Sequence, residues 1–218
     1  MSFDRSEEAF LDFVHACDRD IIAKTIRGFS GRGIYLPDVS TDEKARAVYR
    51  ELKASGEYFA EKVYHQKGVL HDIHPYAVNT VRMLTLNVNG EVHIMLASTR
   101  FGGSEKPVDN IHNGGMTCEV DLESGCIVGK GRNLRGDSFV RHPMSGHIIP
   151  GTQIPRWQDV CDLVTEAAKK LPEVGYIGWD VAVSDDGICL IEGNECANVD
   201  IFQVSSQAGI KPMFDRYM

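Results

Sequence analysis

The sequence predicts an α+β fold, and three observations support this class. Strands of alternating hydrophobicity flank Asn89-Gly90, a pair of residues that favours a tight hairpin turn. Two further strands flank Asp185-Asp186-Gly187, and apolar residues at helical spacing follow Pro155. Because the pattern places no helix between the paired strands, we expect antiparallel sheets.

The first part of the chain is predicted to combine helices and short strands around a glycine-rich loop. Ser6 begins a helix, a capping box of Ser40 and Glu43 begins a second one, and Gly56 ends it. Short strands are predicted at 21–24, 34–36 and 58–64. The loop Gly28–Gly33 lies between the first two of these strands, where it interrupts any continuous sheet.

The second part of the chain is rich in hairpins. Beyond the two hairpins named above, strands are predicted at 116–120 and 126–128. The segment 99–115 is irregular and rich in glycine, which is typical of a functional loop. Trp157 lies on the helix that follows Pro155, and we expect it to anchor the core.

Composition limits the classes of partner. The 218 residues carry 23 Lys and Arg against 31 Asp and Glu, a net charge of −8, which argues against nucleic acid as a partner. A small basic site for a nucleotide remains compatible with that charge. No apolar run approaches the roughly 20 residues of a membrane span, and residues 1–10 do not form a signal peptide. We therefore expect a cytoplasmic protein without a membrane partner.

The cysteines and histidines do not suggest a metal centre of their own. The six cysteines are scattered without a CxxC pair, so we expect them to be reduced and structural. His71 and His74 have the spacing of a metal pair, but no second pair accompanies them.

The glycine loop is the first signal of chemistry. Glycines let backbone N–H groups approach phosphate oxygens, and Lys24 precedes the loop closely enough to add a cation. A dinucleotide site would need a helix directly after the loop, and a Walker A motif would need Ser or Thr in place of Gly131. The kinase motifs that would follow such a loop are also missing. A flexible hairpin turn remains the alternative interpretation.

The second signal is a set of oxygen ligands on the last hairpin. A three-residue loop with Gly187 in the left-handed position would place Asp180 opposite Glu192, with Asn194 on the same face. Two carboxylates and an amide oxygen suit Mg²⁺ that bridges phosphates. The alternative is a solvated strand end, which the repulsion between facing carboxylates disfavours.

These two signals and their order resemble the sugar-transfer-associated ATP-grasp family. The resemblance runs from about Asp20 to Gln203. It rests on blocks of sequence in a fixed order: Asn79–Arg82 with Thr85, Arg100–Gly102, Val108–Asn110, His142–Gly146, Gly178–Ala182 with Gly187, and Ile191–Asn194.

The resemblance implies an ATP-grasp fold of two α+β lobes, whose antiparallel sheets grip ATP between them. Residues 1–64 would form the small lobe with its glycine-rich lid, and residues 65–218 the large lobe with the magnesium hairpin. Lys24 would contact the ATP phosphates. The residues that would close over them as a lid are Gly28, Ser30, Gly31, Arg32 and Gly33.

The family pattern also assigns the adenosine contacts. The strand end Glu61-Lys62-Val63 resembles the hinge between the lobes. Glu61 would accept from the adenine amine, and the backbone at Val63 would read the adenine edge. Asp72 is the candidate for the ribose.

Arg82 and Arg100 would be the catalytic residues. A planar, permanently charged guanidinium suits phosphate or the developing charge of an acceptor. Without the resemblance, Arg82 could be a solvent-facing strand residue and Arg100 a cap of the glycine-rich segment. The metal ligands implied by the resemblance are Asp180, Glu192 and Asn194.

The implied reaction is ATP- and Mg²⁺-dependent ligation of a carboxylate to an amine through an acylphosphate. A role in making cell-surface polysaccharide or secondary metabolites fits the family. One alternative is a kinase that uses a hydroxyl acceptor, and another is a nucleotide-binding module without turnover.

One departure from the family concerns the lobe that usually precedes the small one. Only about twenty residues precede Lys24, so either the chain is part of a longer protein or the architecture is reduced. We expect self-association or a partner to cover that side. The small-molecule acceptors should bind near Arg82, Arg100, Asp109-Asn110 and His142.

Overall fold

A computed structural model describes residues 6–26, 33–105, 111 and 114–217. The chain divides into two compact units, Met1–Tyr64 and His65–Met218. Each unit has its own sheet, and every pair of neighbouring strands in the two sheets is antiparallel. No helix in the described part of the chain is long and apolar enough to cross a bilayer.

The first unit packs two helices against a two-stranded sheet. In chain order its elements are α1 (Glu7–Ala16), β1 (Ile21–Thr25), α2 (Asp42–Ser55) and β2 (Tyr58–Lys62). Ser6 caps α1 by accepting from the Ala9 N–H, and Gly56 ends α2 with a φ of 64°, so both predicted boundaries are confirmed. Phe10 and Leu52 lie in the shared core.

Two local predictions for this unit are wrong. Thr41, not Ser40, caps α2, because its side chain accepts from Lys44 while Ser40 bonds to Asp38 instead. The predicted strand at 34–36 is reduced to a single bridge between Tyr35 and Ala23.

The second unit is built on a seven-stranded sheet. Its elements are α3 (Val69–Ile73), β3 (Thr80–Val88), β4 (Glu91–Phe101), β5 (Met116–Glu119), β6 (Gly131–Arg132), β7 (Ser138–Phe139), α4 (Trp157–Lys169), β8 (Tyr176–Ser184), β9 (Gly187–Glu195), α5 (Asp200–Ser206) and α6 (Lys211–Phe214). The strand order is β7-β6-β5-β4-β3-β8-β9. The strand predicted at 126–128 is replaced by isolated bridges.

The two faces of this sheet have opposite character. On one face Val81, Met83 and Met116 pack with Val160 and Val164 of α4 in the main core. Successive side chains of a strand point to opposite faces, so the residues between these apolar ones form the other face. That second face carries the polar side chains described below, and a smaller cluster around Leu84 and Phe202 covers one end of it.

The two hairpin turns differ in how well the sequence predicted them. Asn89 and Gly90 both have positive φ, 53° and 87°, as a tight two-residue turn requires. The β8–β9 loop also has two residues, because Ser184 pairs with Gly187. The predicted three-residue loop is therefore wrong, and a register shift between Asp180 and Val181 adds one residue to β9.

Candidate functional site

Backbone pairing brings three charged residues side by side on the polar face. Arg82 of β3 pairs with Asp180 of β8, and Asp180 pairs with Glu192 of β9. Directly paired residues of antiparallel strands point to the same face, so these side chains form a row. The prediction that Asp180 faces Glu192 is confirmed, although the register shift described above, not the loop, produces it.

Two arginines hold the Asp180 carboxylate. Arg82 donates from Nε to Oδ1 and from Nη2 to Oδ2, the second bond being 2.7 Å long. Arg100 Nη2 lies 2.9 Å from the same Oδ2. Asp180 is 1% exposed and Arg82 8%, so this ion pair is screened little by solvent.

The pKa of Asp180 reflects two opposing effects. Burial raises the pKa of this carboxyl, but the charges of Arg100 and Arg82 outweigh it and hold the pKa below its ordinary value. Asp180 is therefore ionised, and its charge is shared by two cations.

Glu192 and Asn194 extend the cluster toward solvent. Glu192 is exposed at the rim, and Asn194 Nδ2 lies 3.1 Å from its Oε1. Desolvation of the Glu192 carboxyl and the negative charge of Asp180 raise its pKa. The three predicted ligands thus lie together, with one strongly ionised and one more readily protonated carboxyl.

The Thr80 hydroxyl group positions Arg100. Thr80 Oγ1 accepts from Nε and Nη2 of Arg100, at 3.0 and 2.7 Å. Thr117 lies opposite Arg100 on the neighbouring strand and hydrogen-bonds to Ser98. These contacts place Arg100 within the site, not at the glycine-rich segment as a cap.

Arg132 belongs to the same face and was not predicted from the sequence. It pairs with Thr117, which in turn pairs with Arg100. A two-residue strand gives no periodicity to detect, so only the sheet pairing shows that Arg132 shares this face.

His142 is buried close to the end of β4. It is 1% exposed, its Nε2 lies 2.9 Å from Gly102 O, and its Nδ1 accepts from the Met144 N–H. Burial is the main reason why the pKa of His142 lies below its ordinary value, and the neighbouring His74 adds to it. His142 therefore fixes loops beside the site as a neutral imidazole.

The predicted nucleotide residues of the first unit form a separate group. Lys24 makes an ion pair with Glu61 across β1 and β2. The Val63 N–H donates to Asp20 O, at 3.0 Å, and Lys62 lies exposed beside Asp18. The Val63 N–H is thus used within the unit.

The remaining predicted residues are placed as follows. Gly33 has a φ of 73° and packs against the side chain of Thr25. Asp72 is exposed on α3. The other predicted site residues lie outside the described residues: Gly28, Ser30, Gly31, Arg32, Asp109 and Asn110.

Among the described residues, no group of three or more His, Cys, Asp or Glu side chains could hold a metal ion. The set on β8 and β9 has two carboxylates, Asp180 and Glu192, and its third member is the amide of Asn194. Oxygen ligands of this kind suit Mg²⁺, which usually keeps several waters.

The family comparison agrees with this combination of sheet, arginines and acidic hairpin. Residues 4–217 match the family described as sugar-transfer associated ATP-grasp. The chain belongs to this family. The predicted resemblance to sugar-transfer associated ATP-grasp proteins is therefore confirmed over almost the whole chain. No protein among the curated ones compared matches significantly.

Solved structures confirm the ATP-grasp fold. The biotin carboxylase domain of Hydrogenobacter thermophilus 2-oxoglutarate carboxylase has a TM-score of 0.55 at 13% identity, over 98% of this chain and 39% of that chain. The ATP-grasp ligase PsnB has a TM-score of 0.53 at 15% identity, over 97% of this chain and 49% of that chain. D-cycloserine synthetase DcsG has a TM-score of 0.51 at 12% identity, over 97% of this chain and 61% of that chain. The chain thus spans between 39% and 61% of the length of these structures.

Proposed function

We propose that the chain is an ATP- and Mg²⁺-dependent ligase that joins a carboxylate to an amine through an acylphosphate. The observation that most supports this proposal is the row of Arg82, Asp180 and Glu192 on one sheet face. Arg100 and Asn194 lie beside this row. Family membership supports ATP as substrate, and two of the similar structures contain magnesium and ADP.

The chemistry of the ligand set fits Mg²⁺. Asp180 and Glu192 face each other, and the pKa of Glu192 is raised by desolvation and, next, by the negative charge of Asp180. A divalent cation held by these oxygens and Asn194 would relieve the repulsion between the two carboxylates and neutralise charge on phosphate oxygens. Since Arg82 and Arg100 contact both Asp180 oxygens, we expect metal binding to displace at least one guanidinium from this carboxylate.

The released guanidinium then has a role in the reaction. A carboxylate oxygen of the acceptor attacks the γ-phosphorus of ATP, a new O–P bond forms, and ADP leaves. The amine then attacks the carbonyl carbon, phosphate departs and the amine loses its proton to solvent. Arg82 and Arg100 would hold the acceptor carboxylate and its phosphorylated form, because guanidinium binds such oxyanions with two parallel hydrogen bonds.

In the first unit we assign the nucleotide contacts to Lys24, the glycine loop and the strand end Glu61–Val63. Lys24 would exchange its pairing with Glu61 for the ATP phosphates. Glu61 would then be available to accept from the adenine amine, together with the carbonyl of Val63. Asp72 is the proposed ribose contact.

ADP formation in the presence of paired acids and amines tests the proposal. The protein is incubated with Mg-ATP and a panel of carboxylic acids, each with and without amines, and the products are analysed by mass spectrometry. Amide formation coupled one to one with ADP supports it. A phosphorylated alcohol would identify a kinase, and Mg-ATP binding without turnover under every combination would identify a binding module. Both results contradict the ligase.

A further inference from the structure

The polar face carries one cation that the proposed reaction does not use. Arg132 and Arg100 both pair with Thr117, so their side chains leave the sheet on the same side. Neighbouring strands are about 4.8 Å apart, which separates the two arginine backbones by about 10 Å. Both side chains can therefore reach one small molecule.

The surroundings of Arg132 distinguish it from an ordinary surface arginine. Its Nε is buried, and among the described residues no acceptor hydrogen-bonds to this atom. The preceding Gly131 lies against Met116 and Cys118 on the core face, which confirms that Arg132 points to the polar face. A buried guanidinium nitrogen without an acceptor is costly. A side chain that turned toward a bound oxyanion would gain the acceptor that this nitrogen lacks.

The charges of the face lie at separate places. Arg82, Arg100 and Arg132 share the face with the carboxylates of Asp180 and Glu192, and Glu119 lies on the same side because it pairs with Ser98. A metal ion at Asp180 and Glu192 would offset their charge and leave the arginines as cations for an acidic molecule. Arg132 lies two strands from Arg100, so the face can bind two separate acid groups.

We propose that Arg132 binds a second, non-reacting acid group of the acceptor, so that the preferred carboxylate substrate is a dianion. The inference rests on the proposed function, in which Arg82 and Arg100 hold the reacting carboxylate. Arg132 is then a specificity residue. The dianion would be a dicarboxylic acid or a carboxylic acid that carries a phosphate.

Binding of small anions tests this role. Ligand-detected NMR titrations at constant ionic strength, with and without saturating Mg-ADP, use acetate, succinate, glutarate and inorganic phosphate. The variants are Arg132→Gln, Arg132→Lys and the matched control Arg135→Gln, an exposed arginine between β6 and β7. Thermal melting checks that each variant is folded.

Loss of one charge-assisted contact corresponds to a change of about tenfold. We expect the affinity of the parent for the dicarboxylates to be at least about tenfold higher than its affinity for acetate. Arg132→Gln should remove this preference without changing acetate affinity, Arg132→Lys should keep part of it, and Arg135→Gln should keep all of it.

Several outcomes would overturn the assignment. They are an unchanged preference in Arg132→Gln, an equal loss in Arg135→Gln, and a parent that does not prefer dicarboxylates. An effect confined to inorganic phosphate would also overturn it, because the anion would then be the released phosphate. Failure of Mg-ADP to bind the parent would instead contradict the proposed function, and the titrations without nucleotide would still report on Arg132.

Discussion

The guanidinium of Arg82 forms a bidentate pair with the carboxylate of Asp180, with two nitrogens donating to two oxygens inside a buried part of the sheet. The same carboxylate is a proposed ligand of Mg²⁺. Two arginines thus share one acidic side chain. In the proposed function a metal ion would compete with them for this carboxylate, and metal binding would then be coupled to capture of an acidic acceptor.

The first prediction concerns the ion pair itself. Arg82→Met removes one partner of a buried pair and leaves Asp180 with Arg100 alone, so the free energy of unfolding should fall by about 3 kcal/mol. Urea unfolding measures it. Lys44→Met breaks the exposed pair with Asp38 and should change stability much less, because solvent screens an exposed pair. Equal effects of the two substitutions would show that the Arg82 pair contributes no more than a surface pair.

The second prediction concerns the metal ligands. Glu192→Gln removes a charge at the exposed rim of the cluster, so the affinity for Mg²⁺ in the presence of ADP should fall at least about tenfold. The free energy of unfolding should change by no more than about 0.5 kcal/mol. Calorimetry measures the affinity, and Glu195→Gln, an exposed residue at the end of the same strand, is the control. Unchanged Mg²⁺ affinity in Glu192→Gln would refute the assignment.

The third prediction concerns nucleotide binding by the first unit. Lys24→Met should weaken Mg-ATP binding by about tenfold or more, the loss of one charge-assisted contact to phosphate. Its ion pair with Glu61 is partly exposed, so stability should change by no more than about 1 kcal/mol. Fluorescence or calorimetric titration with ATP measures the effect. Lys44→Met, which removes a different lysine charge from the same unit, is the control. An equal loss of ATP affinity in this control would show that Lys24 contributes only to the overall charge and makes no specific phosphate contact.

The fourth prediction concerns the end of the glycine loop. Gly33 has a φ of 73°, and a Cβ there would overlap the Thr25 side chain. Gly56 has a φ of 64° with open space around it, so Gly56→Ala should cost only the left-handed conformation, about 1 kcal/mol. Gly33→Ala should cost about 1 kcal/mol more because of the overlap. Thr25→Ala, introduced together with Gly33→Ala, should recover much of that difference. Chemical denaturation of Gly56→Ala, Gly33→Ala and the double variant measures the three free energies of unfolding.

The fifth prediction concerns pH. The pKa of His142 is lowered in the folded protein, chiefly by burial, from about 6.5 in the unfolded chain. Its contribution to stability is therefore present above about pH 6.5 and lost as the pH falls through the folded pKa. The groups that face it include His74 and His147.

Unfolding measured from pH 7.5 to pH 5 tests this pH dependence. The loss of stability on acidification should be smaller in His142→Gln than in the parent. His71→Gln, on the partly exposed surface of α3, should follow the parent. A His142→Gln curve parallel to that of the parent would show that His142 does not titrate as described.

Some of the site follows from local sequence. The hairpin between β8 and β9 has clear turn residues and apolar strands, which set Asp180 and Glu192 apart as acidic residues that face each other. The α+β class and the ATP-grasp family follow from the order of such blocks. The exact turn does not follow from local sequence. A two-residue loop with a register shift and a three-residue loop give the same pairing at Asp180, so the pairing does not distinguish them.

Only the tertiary structure decided how the charged residues combine. Arg82 and Asp180 are 98 positions apart, and their contact depends on β3 lying between β4 and β8, which no local periodicity encodes. Arg132 joined the site through a two-residue strand beside β5. The sequence by itself determined the residue types and the hairpins, because these depend on neighbours in the chain. Sheet order decided which charges meet, because it depends on burying the opposite, apolar face as a whole.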